Sequence, residues 1–426
     1  MNTEQRSMQK TISIAHFSWE FPPAIWGGLG TFATELTKQQ IAQGNAVTVF
    51  AINDANSLLP MEQRNGITVY RPKLIDITQS LAILSNQDLL SWGKHLTFFS
   101  DVFSYNMLSA KTLVDTITQS NNGTHVDIIE AHDWLGIFGG MMAKKALNVP
   151  LIFHVHSTEH GRSIGNGSPT IQHIEKTGAE TADGIITVSY AMQEELQQLG
   201  FPADKIRVCW NGIDPEKYDA SKIPEEKKRE LRKRYGVQDD EIFLFFIGRL
   251  VTVKGAIQLV EAMPQIIDQF PKVKLVMLGV GDLDKAITSM IQELGISDHV
   301  TLRTEFVSEE ERILHYAASD VVILPSLYEP FGIVCTEAMS MEKPVVVGAR
   351  GINGMREQII SSGDKQCGIH INPFDPSDIA WGVNEILSVP DQWKQMGENG
   401  RKRVFELFTW EKVANREMDI YQEFLK

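Results

Sequence analysis

The sequence predicts an α/β protein made of two doubly wound domains in tandem. Three observations carry that prediction. Short apolar, β-rich segments alternate with helical or loop sequence, the mark of βαβ units and of a parallel sheet covered by helices on both faces. The alternation stops at a charged stretch, residues 221–241, and then starts again. The composition suits two cores: 426 residues, 43% hydrophobic and 22% charged, fit two or three globular domains.

In chain order, "TISIAHFS" reads as a strand, followed by the loop "WEFPPAIWGGLG" and the helix "TFATELTKQQIAQG", closed by Gly44. "AVTVFAI", "VDIIEAH", "PLIFHVHS", "GIITVS" and "IRVCWNG" are the further strands of the first half. Residues 81–115 have a helical period and are rich in Trp, Phe, Tyr and Met. They read as a pair of packed helices that also suit the wall of a substrate cleft. The segment "SKIPEEKKRELRKRYGVQDDE" contains no strand and is expected to form a short helix feeding a hinge. "EIFLFFIGR", "KLVMLGVG", "VTLRTEF", "VVILPS" and "PVVVGA" are the strands of the second half. The terminal "WEKVANREMDIYQEFLK" is an amphipathic helix expected to pack back onto the first domain. The expected domains are therefore 1–218, joined by helix 410–426, and 219–409.

Several functions are disfavoured at this stage. A net charge of −14 argues against nucleic acid and anionic membrane surfaces as partners. No run of 18 apolar residues exists to span a membrane. The start, "MNTEQRSMQK", lacks an apolar h-region and reads as a mobile tail. Cys209, Cys335 and Cys367 are few, odd in number and far apart, which fits a reducing compartment. Little weight then falls on the sequons at Asn122 and Asn166, and a cytoplasmic location is expected.

The segment "YEPFGIVCTE" carries the densest chemistry. The run "VVILP" before it suits a strand buried on both faces. Pro325 and Pro330 forbid its simple continuation, Gly332 permits close backbone approach, and "IVCTEAMSM" has helical spacing. Ligands of doubly wound sheets gather at the carboxyl ends of strands, so Glu329 stands where a ligand is expected. The amides of Phe331, Gly332 and Ile333 would open the helix toward a phosphate. Glu337, further along that helix, would reach a hydroxyl pair such as a ribose. Two other arrangements leave the same pattern: solvated carboxylates at a helix start, or a glycosidase-like pair across one sugar bond.

The cations lie earlier. "FLFFIGRLVTVKG" is a buried strand followed by Arg249 and Lys254, five residues apart on one loop. Alone they read as solvated loop cations; beside the glutamate-bearing turn of the same domain they read as a diphosphate site. In the first domain "WGGLGT" places Gly27 and Gly28 between a strand and a helix. The full G-x-G-x-x-G pattern is missing, so this is a loop for close approach to phosphate or sugar rather than a dinucleotide fingerprint. No P-loop pattern occurs. "AHDWLG" sets Asp133 at a strand end, suited to a sugar hydroxyl. His154, His156, Glu159 and His160 are metal-ligand types, and His154 and His156 share a strand face. Short His clusters also arise by chance, and one His lining a cleft is the reading adopted, with no metal expected.

Together these pieces resemble the retaining nucleotide-sugar glycosyltransferases of the GT-B fold. The likeness is to glycosyltransferase family 4 and, more distantly, to glycogen and starch synthases, over nearly the whole chain. Its most specific parts are the paired glutamates, Glu329 and Glu337, and "GRLVTVKG". "WNGID" resembles the family's "PNGID" with Trp210 replacing proline, and "GVGD" its glycine-rich loop. The resemblance implies two Rossmann-like domains facing a central cleft and a UDP-, ADP- or GDP-linked sugar as donor, with no cofactor. It implies that Arg249 and Lys254 stabilise the leaving diphosphate, that Glu337 binds the ribose, and that Glu329 with the amides after it addresses the donor sugar. The position of His156 lies beside the anomeric centre in such enzymes, and that of Asp133 near acceptor or donor hydroxyls. Bacterial glycogen synthases carry a lysine where this chain has Ile25, which favours family 4 over the ADP-glucose type. The expected activity is transfer of a hexose, glucose by preference, to a carbohydrate or small hydroxyl acceptor, metal-independent and with retention. Glucan elongation of the glycogen-synthase type and a GT-B nucleotide-sugar epimerase are the alternatives, and a non-catalytic nucleotide-sugar sensor is disfavoured by Glu329, His156 and Asp133 together.

Overall fold

The computed structural model describes residues 11–84, 86–120 and 123–425. The expected N-terminal tail and the sequon residue Asn122 lie outside them. By internal contacts the chain forms two compact units. The first comprises the described residues of Met1–Val188, Leu196–Cys209 and Val413–Lys426; the second comprises Ser189–Glu195 and Trp210–Lys412.

The first unit is built on an eight-stranded sheet. Its strands are β1 (Ser13–Phe17), β2 (Ala46–Phe50), β3 (Met61–Arg64), β4 (Ile67–Tyr70), β5 (Ile128–His132), β6 (Leu151–Val155), β7 (Gly184–Thr187) and β8 (Ile206–Val208). They run in the order β3-β4-β2-β1-β5-β6-β7-β8. Only β3 is antiparallel to its neighbour. It forms a hairpin with β4 through Asn65 and Gly66, both at positive φ, as a tight hairpin turn requires. This hairpin is not among the strands read from the sequence. Its polar first arm, "MEQR", hides the strand pattern, although Asn-Gly marks the turn.

Strands β5, β6 and β7 are buried throughout, as central parallel strands should be. Their register has a consequence. His16 aligns with Glu130, and His132 with His154. Residues two apart on a strand share a face, so His16, Glu130, His132, His154 and His156 form one polar patch on one side of the sheet.

The aromatic 81–115 region is two short helices, Thr78–Leu84 and Gln87–Ser91, before one long helix, Leu96–Thr118, rather than a single helix pair. Its aromatic residues mainly build core. Tyr105 packs edge-on to Trp19 at 5.3 Å and its hydroxyl donates to Phe50 O (2.8 Å), while Phe99 stacks on Trp134 at 6.3 Å.

The second unit holds a six-stranded sheet in the order β11-β10-β9-β12-β13-β14. The strands are β9 (Ile242–Ile247), β10 (Val273–Leu278), β11 (Val300–Arg303), β12 (Val321–Leu324), β13 (Val345–Gly348) and β14 (Gly368–Ile371), and every pairing is parallel. Strand β14, "GIHI", was missed by the sequence reading because it is short and interrupted by His370. The charged 221–241 segment is strandless and contains the helix Glu225–Arg234. Leu244, Phe246, Leu275, Met277, Ile323 and Val346 of the sheet pack against Leu259, Met263 and Ile266 of helix Ala256–Gln269. Among the described residues no helix is long and apolar enough to cross a membrane.

Candidate functional site

In the second unit, the buried strand β12 ends at Leu324 and the chain turns through 325–332 before helix Ile333–Ser340. Gly332 caps that helix with φ 90° and ψ 70°, a left-handed conformation. A Cβ there would lie 2.6 Å from Met355 Cγ and 3.1 Å from Glu329 Cγ. Gly332→Ala is therefore expected to cost roughly 1–3 kcal/mol in backbone strain alone. The second unit's urea midpoint should fall, and turnover with it, because Glu329 is pushed from its place.

Glu329 is locked by its backbone. Its N–H donates to Ile352 O (3.1 Å) and its carbonyl accepts from Gly354 N (2.7 Å). Its carboxylate ion-pairs with Lys254 Nζ and accepts from Ser326 Oγ (3.3 Å). Both side chains are largely withdrawn from solvent, Lys254 to 20% and Glu329 to 9% exposure. Arg249 is exposed, and its guanidinium has no hydrogen-bond or ion-pair partner among the described residues. The loop that carries it rests on the "GVGD" segment: Leu250 N donates to Val280 O (2.9 Å), and a Cβ on Gly281 would sit 2.2 Å from Leu250 O. Only glycine admits that approach. The amides of Phe331, Gly332 and Ile333 have no hydrogen-bond acceptor among the described residues. They stand at the positive end of the helix dipole.

Glu337 is 5% exposed and its two oxygens are shared out. Oε1 accepts from Tyr218 OH (2.8 Å) and lies 3.4 Å from Arg312 Nη2, and Oε2 accepts from Tyr316 OH (2.8 Å). Burial raises its pKa, against the pull of Arg312 and the two hydroxyls. Neither glutamate is a solvated helix-start residue.

In the first unit, helix Gly28–Ala42 begins at the glycine pair. Glu20 Oε2 accepts from both Trp26 N and Gly27 N (2.9 Å each), so this carboxylate occupies part of the loop's donor set. Gly27 and Gly28 are exposed. Asp133 opens helix Asp133–Leu147 with φ 52°, in the left-handed region that non-glycine residues seldom adopt. Its Oδ1 accepts from His156 N (2.8 Å) and Ser157 N (3.4 Å), tying the two candidate residues together.

Below His156 lies a buried network. His154 Nδ1 donates to Glu130 Oε1 (2.7 Å) and sits 3.3 Å from Glu417 Oε1, and all three residues are fully buried. Tyr421 OH donates to Glu130 Oε2. The His154 and His156 rings stack at 4.2 Å. Three groups, His132/His154/His156, His16/Glu130/His132 and Glu130/His154/Glu417, bring potential ligand atoms within 4.8 Å of one another. Most of these nitrogens are engaged in hydrogen bonds within the network. Glu159 and His160 lie apart from it: Glu159 Oε1 accepts from Ser168 N (3.0 Å), and His160 is exposed.

The family described as "Glycosyltransferase Family 4" matches residues 26–217, and that described as "Glycosyl transferases group 1" matches 227–403. An uncharacterized glycosyltransferase of Methanocaldococcus jannaschii is 32% identical over 415 residues, covering 96% of this chain and 98% of the relative. The chain is a family 4 glycosyltransferase. A glycogen synthase of Mycobacterium tuberculosis is 27% identical, with 96% and 94% covered. The solved sucrose-phosphate synthase of Thermosynechococcus elongatus superposes with a TM-score of 0.75 at 23% identity, covering 97% and 98%, which shows the GT-B fold.

For this glycosyltransferase, the second unit gathers Glu329 and Lys254 at one strand-end turn, and the first gathers Asp133 and His156. Tyr218, Arg312, Tyr316 and Ser326, which hold the two glutamates, were missed; no spacing in the sequence links them to their partners. Trp210, at the family's proline position, donates its indole N–H to Glu357 Oε2 (3.1 Å).

The buried network makes the enzyme's stability depend on pH. Burial disfavours the charged form of His154, but Glu130 and Glu417 overrule it and raise its pKa to about 9. The folded state then binds this proton more tightly than the unfolded one, whose pKa is near 6.5. His154's contribution is complete below pH 6.5 and is lost as pH rises through 9, about 3 kcal/mol in all. Denaturation midpoints measured across that window should fall, and His154→Gln should remove that part of the slope.

Proposed function

We propose that this glycosyltransferase moves a hexose, glucose by preference, from a nucleoside diphosphate sugar to a carbohydrate or other small hydroxyl acceptor, with retention. The observation that carries the reading is the strand-end turn of the second unit. There Lys254 pairs with Glu329 beside the three unbonded amides at the start of helix Ile333–Ser340, and Arg249 stands five residues before Lys254 on the same loop. Leaving-group departure breaks the bond between the anomeric carbon and the phosphate oxygen, and the electron pair goes to the diphosphate. Fixed cations and helix-start amides stabilise that charge as it forms, without reorganisation. With two cations in that role, a metal is not required. The acceptor oxygen attacks from the face the leaving group vacates, and its proton passes to the departing phosphate. The carboxylate of Glu337, fixed by two tyrosines and Arg312, suits the ribose hydroxyls. Asp133 and His156 are assigned to sugar hydroxyls and the transferred sugar. Three buried cysteines, odd in number and far apart in sequence, support the expected cytoplasmic location.

Glucan elongation is the second reading, favoured by the full-length likeness to a glycogen synthase and opposed by Ile25. The test is transfer from an α-linked donor in EDTA, with the product read by proton NMR. An α-linked product at an undiminished rate is expected. A β-linked product would overturn retention, and loss of activity in EDTA would overturn metal independence.

A further inference from the structure

We propose that a directional chain of hydrogen bonds, from the C-terminal helix through Tyr421, Gln40, His16 and His132, fixes the tautomer of His156. In that tautomer Nε2 carries the proton and Nδ1 is a bare acceptor. The inference deepens the functional reading above, since it rests on His156 serving the transferred sugar.

The direction follows from one proton at a time. Tyr421 has a single hydroxyl proton, committed to the carboxylate of Glu130, with Glu417 Oε2 also 3.1 Å away. Whatever else meets the Tyr421 oxygen must donate, so Gln40 presents its Nε2 there (3.4 Å). The amide oxygen of Gln40 then faces His16 Nε2 at 2.8 Å and can only accept. His16 Nε2 therefore carries a proton. Burial, the largest influence on His16, lowers its pKa and keeps the ring neutral, so Nδ1 is an acceptor. It lies 3.2 Å from His132 Nε2, which must donate. His132 is neutral as well: burial outweighs Glu130 and brings its pKa down to about 3. Its Nδ1 therefore accepts from His156 Nε2 at 3.1 Å.

One lone pair remains at the end of the chain, His156 Nδ1. His156 is the one ring of the three that is partly exposed. Its pKa is held well below the ordinary value by burial and by the His154 and His132 rings beside it, so it stays neutral. The protein thus presents an acceptor for a hydroxyl proton rather than an imidazolium. His16, His132, Gln40 and Tyr421 are positioning residues in this account, not catalytic ones. Glu130 Oε2 lies 3.4 Å from His16 Nδ1, and a proton between them would reverse the chain.

The test is a long-range proton–nitrogen NMR spectrum of the full-length enzyme labelled with ¹⁵N-histidine, with the His156 signals identified by their loss in His156→Gln. The expected result is a single neutral tautomer with a protonated Nε2 and a bare Nδ1, becoming a mixture in Gln40→Met. A protonated Nδ1, or a charged ring, in the wild type would overturn the proposal. So would a tautomer unchanged in Gln40→Met, which would mean that His156 is set locally. Transfer assays separate this from the functional reading. If the tautomer is as stated but His156→Ala transfers sugar at the wild-type rate, the role of His156 fails while the chain of hydrogen bonds stands.

Discussion

Lys254→Ala is expected to lower kcat/KM by about 10²–10³-fold, because it removes a preorganised charge from the leaving group, worth roughly 2.7–4 kcal/mol in comparable sites. Two effects add in this variant. The diphosphate loses a point charge that Arg249 alone cannot replace from an exposed, unpaired position. Glu329, only 9% exposed on its side chain, also loses its ion-pair partner and keeps a single Ser326 hydrogen bond. A carboxylate without its cation beside the developing diphosphate charge opposes the reaction. Lys254→Arg should recover part of the activity, since it keeps the charge but not the compact geometry. Steady-state kinetics of the three proteins with a fixed donor check this. A Lys254→Ala enzyme within a few-fold of wild type would remove Lys254 from the site.

The second large effect concerns stability rather than turnover. His154→Gln leaves Glu130 and Glu417 as two buried carboxylates without the cation between them. Breaking a buried pair from one side typically costs about 3–5 kcal/mol, because the remaining charge has no solvent to turn to. For domains of this size each kcal/mol shifts the melting temperature by about 2–4 °C. A loss on the order of 10 °C in the first unit's transition is expected, measured by calorimetry. Glu417 joins this network from helix Trp410–Gln422, so the same variant should loosen that helix from the sheet of the first unit. Hydrogen exchange across residues 413–422 reads that out. A double variant, His154→Gln with Glu130→Gln, should lose less than the sum of the single losses.

The legible parts of the fold were those written in local grammar. Strands β9, β12 and β13 announce themselves as unbroken apolar runs, and β10 does so after Lys274, because both faces of a parallel strand are covered. The turn at Glu329 was readable because proline, glycine and helical spacing follow one another within ten residues. The hairpin at Asn65–Gly66 and strand β14 escaped because a polar arm and a His-bearing tetrapeptide carry little apolar pattern. Local reading also named Glu159 and His160 as neighbours of His154 and His156 and could not find Glu130, Glu417 or Tyr421. Tyr421 and Glu130 stand 291 positions apart, and only sheet register and the return of the terminal helix bring them together. Glu337 shows the same limit. Its place on the helix was legible, but Tyr218, Arg312 and Tyr316 reach it from separate segments.

The measurement that tests the central claim most directly is nucleoside diphosphate release from UDP-, ADP- and GDP-glucose, each with and without glucose, maltooligosaccharides and glycogen. The account predicts one preferred donor whose release depends on acceptor. An acceptor-independent release would point to hydrolysis or epimerisation instead. Tight donor binding with no release under any combination would contradict transfer and leave a nucleotide-sugar sensor.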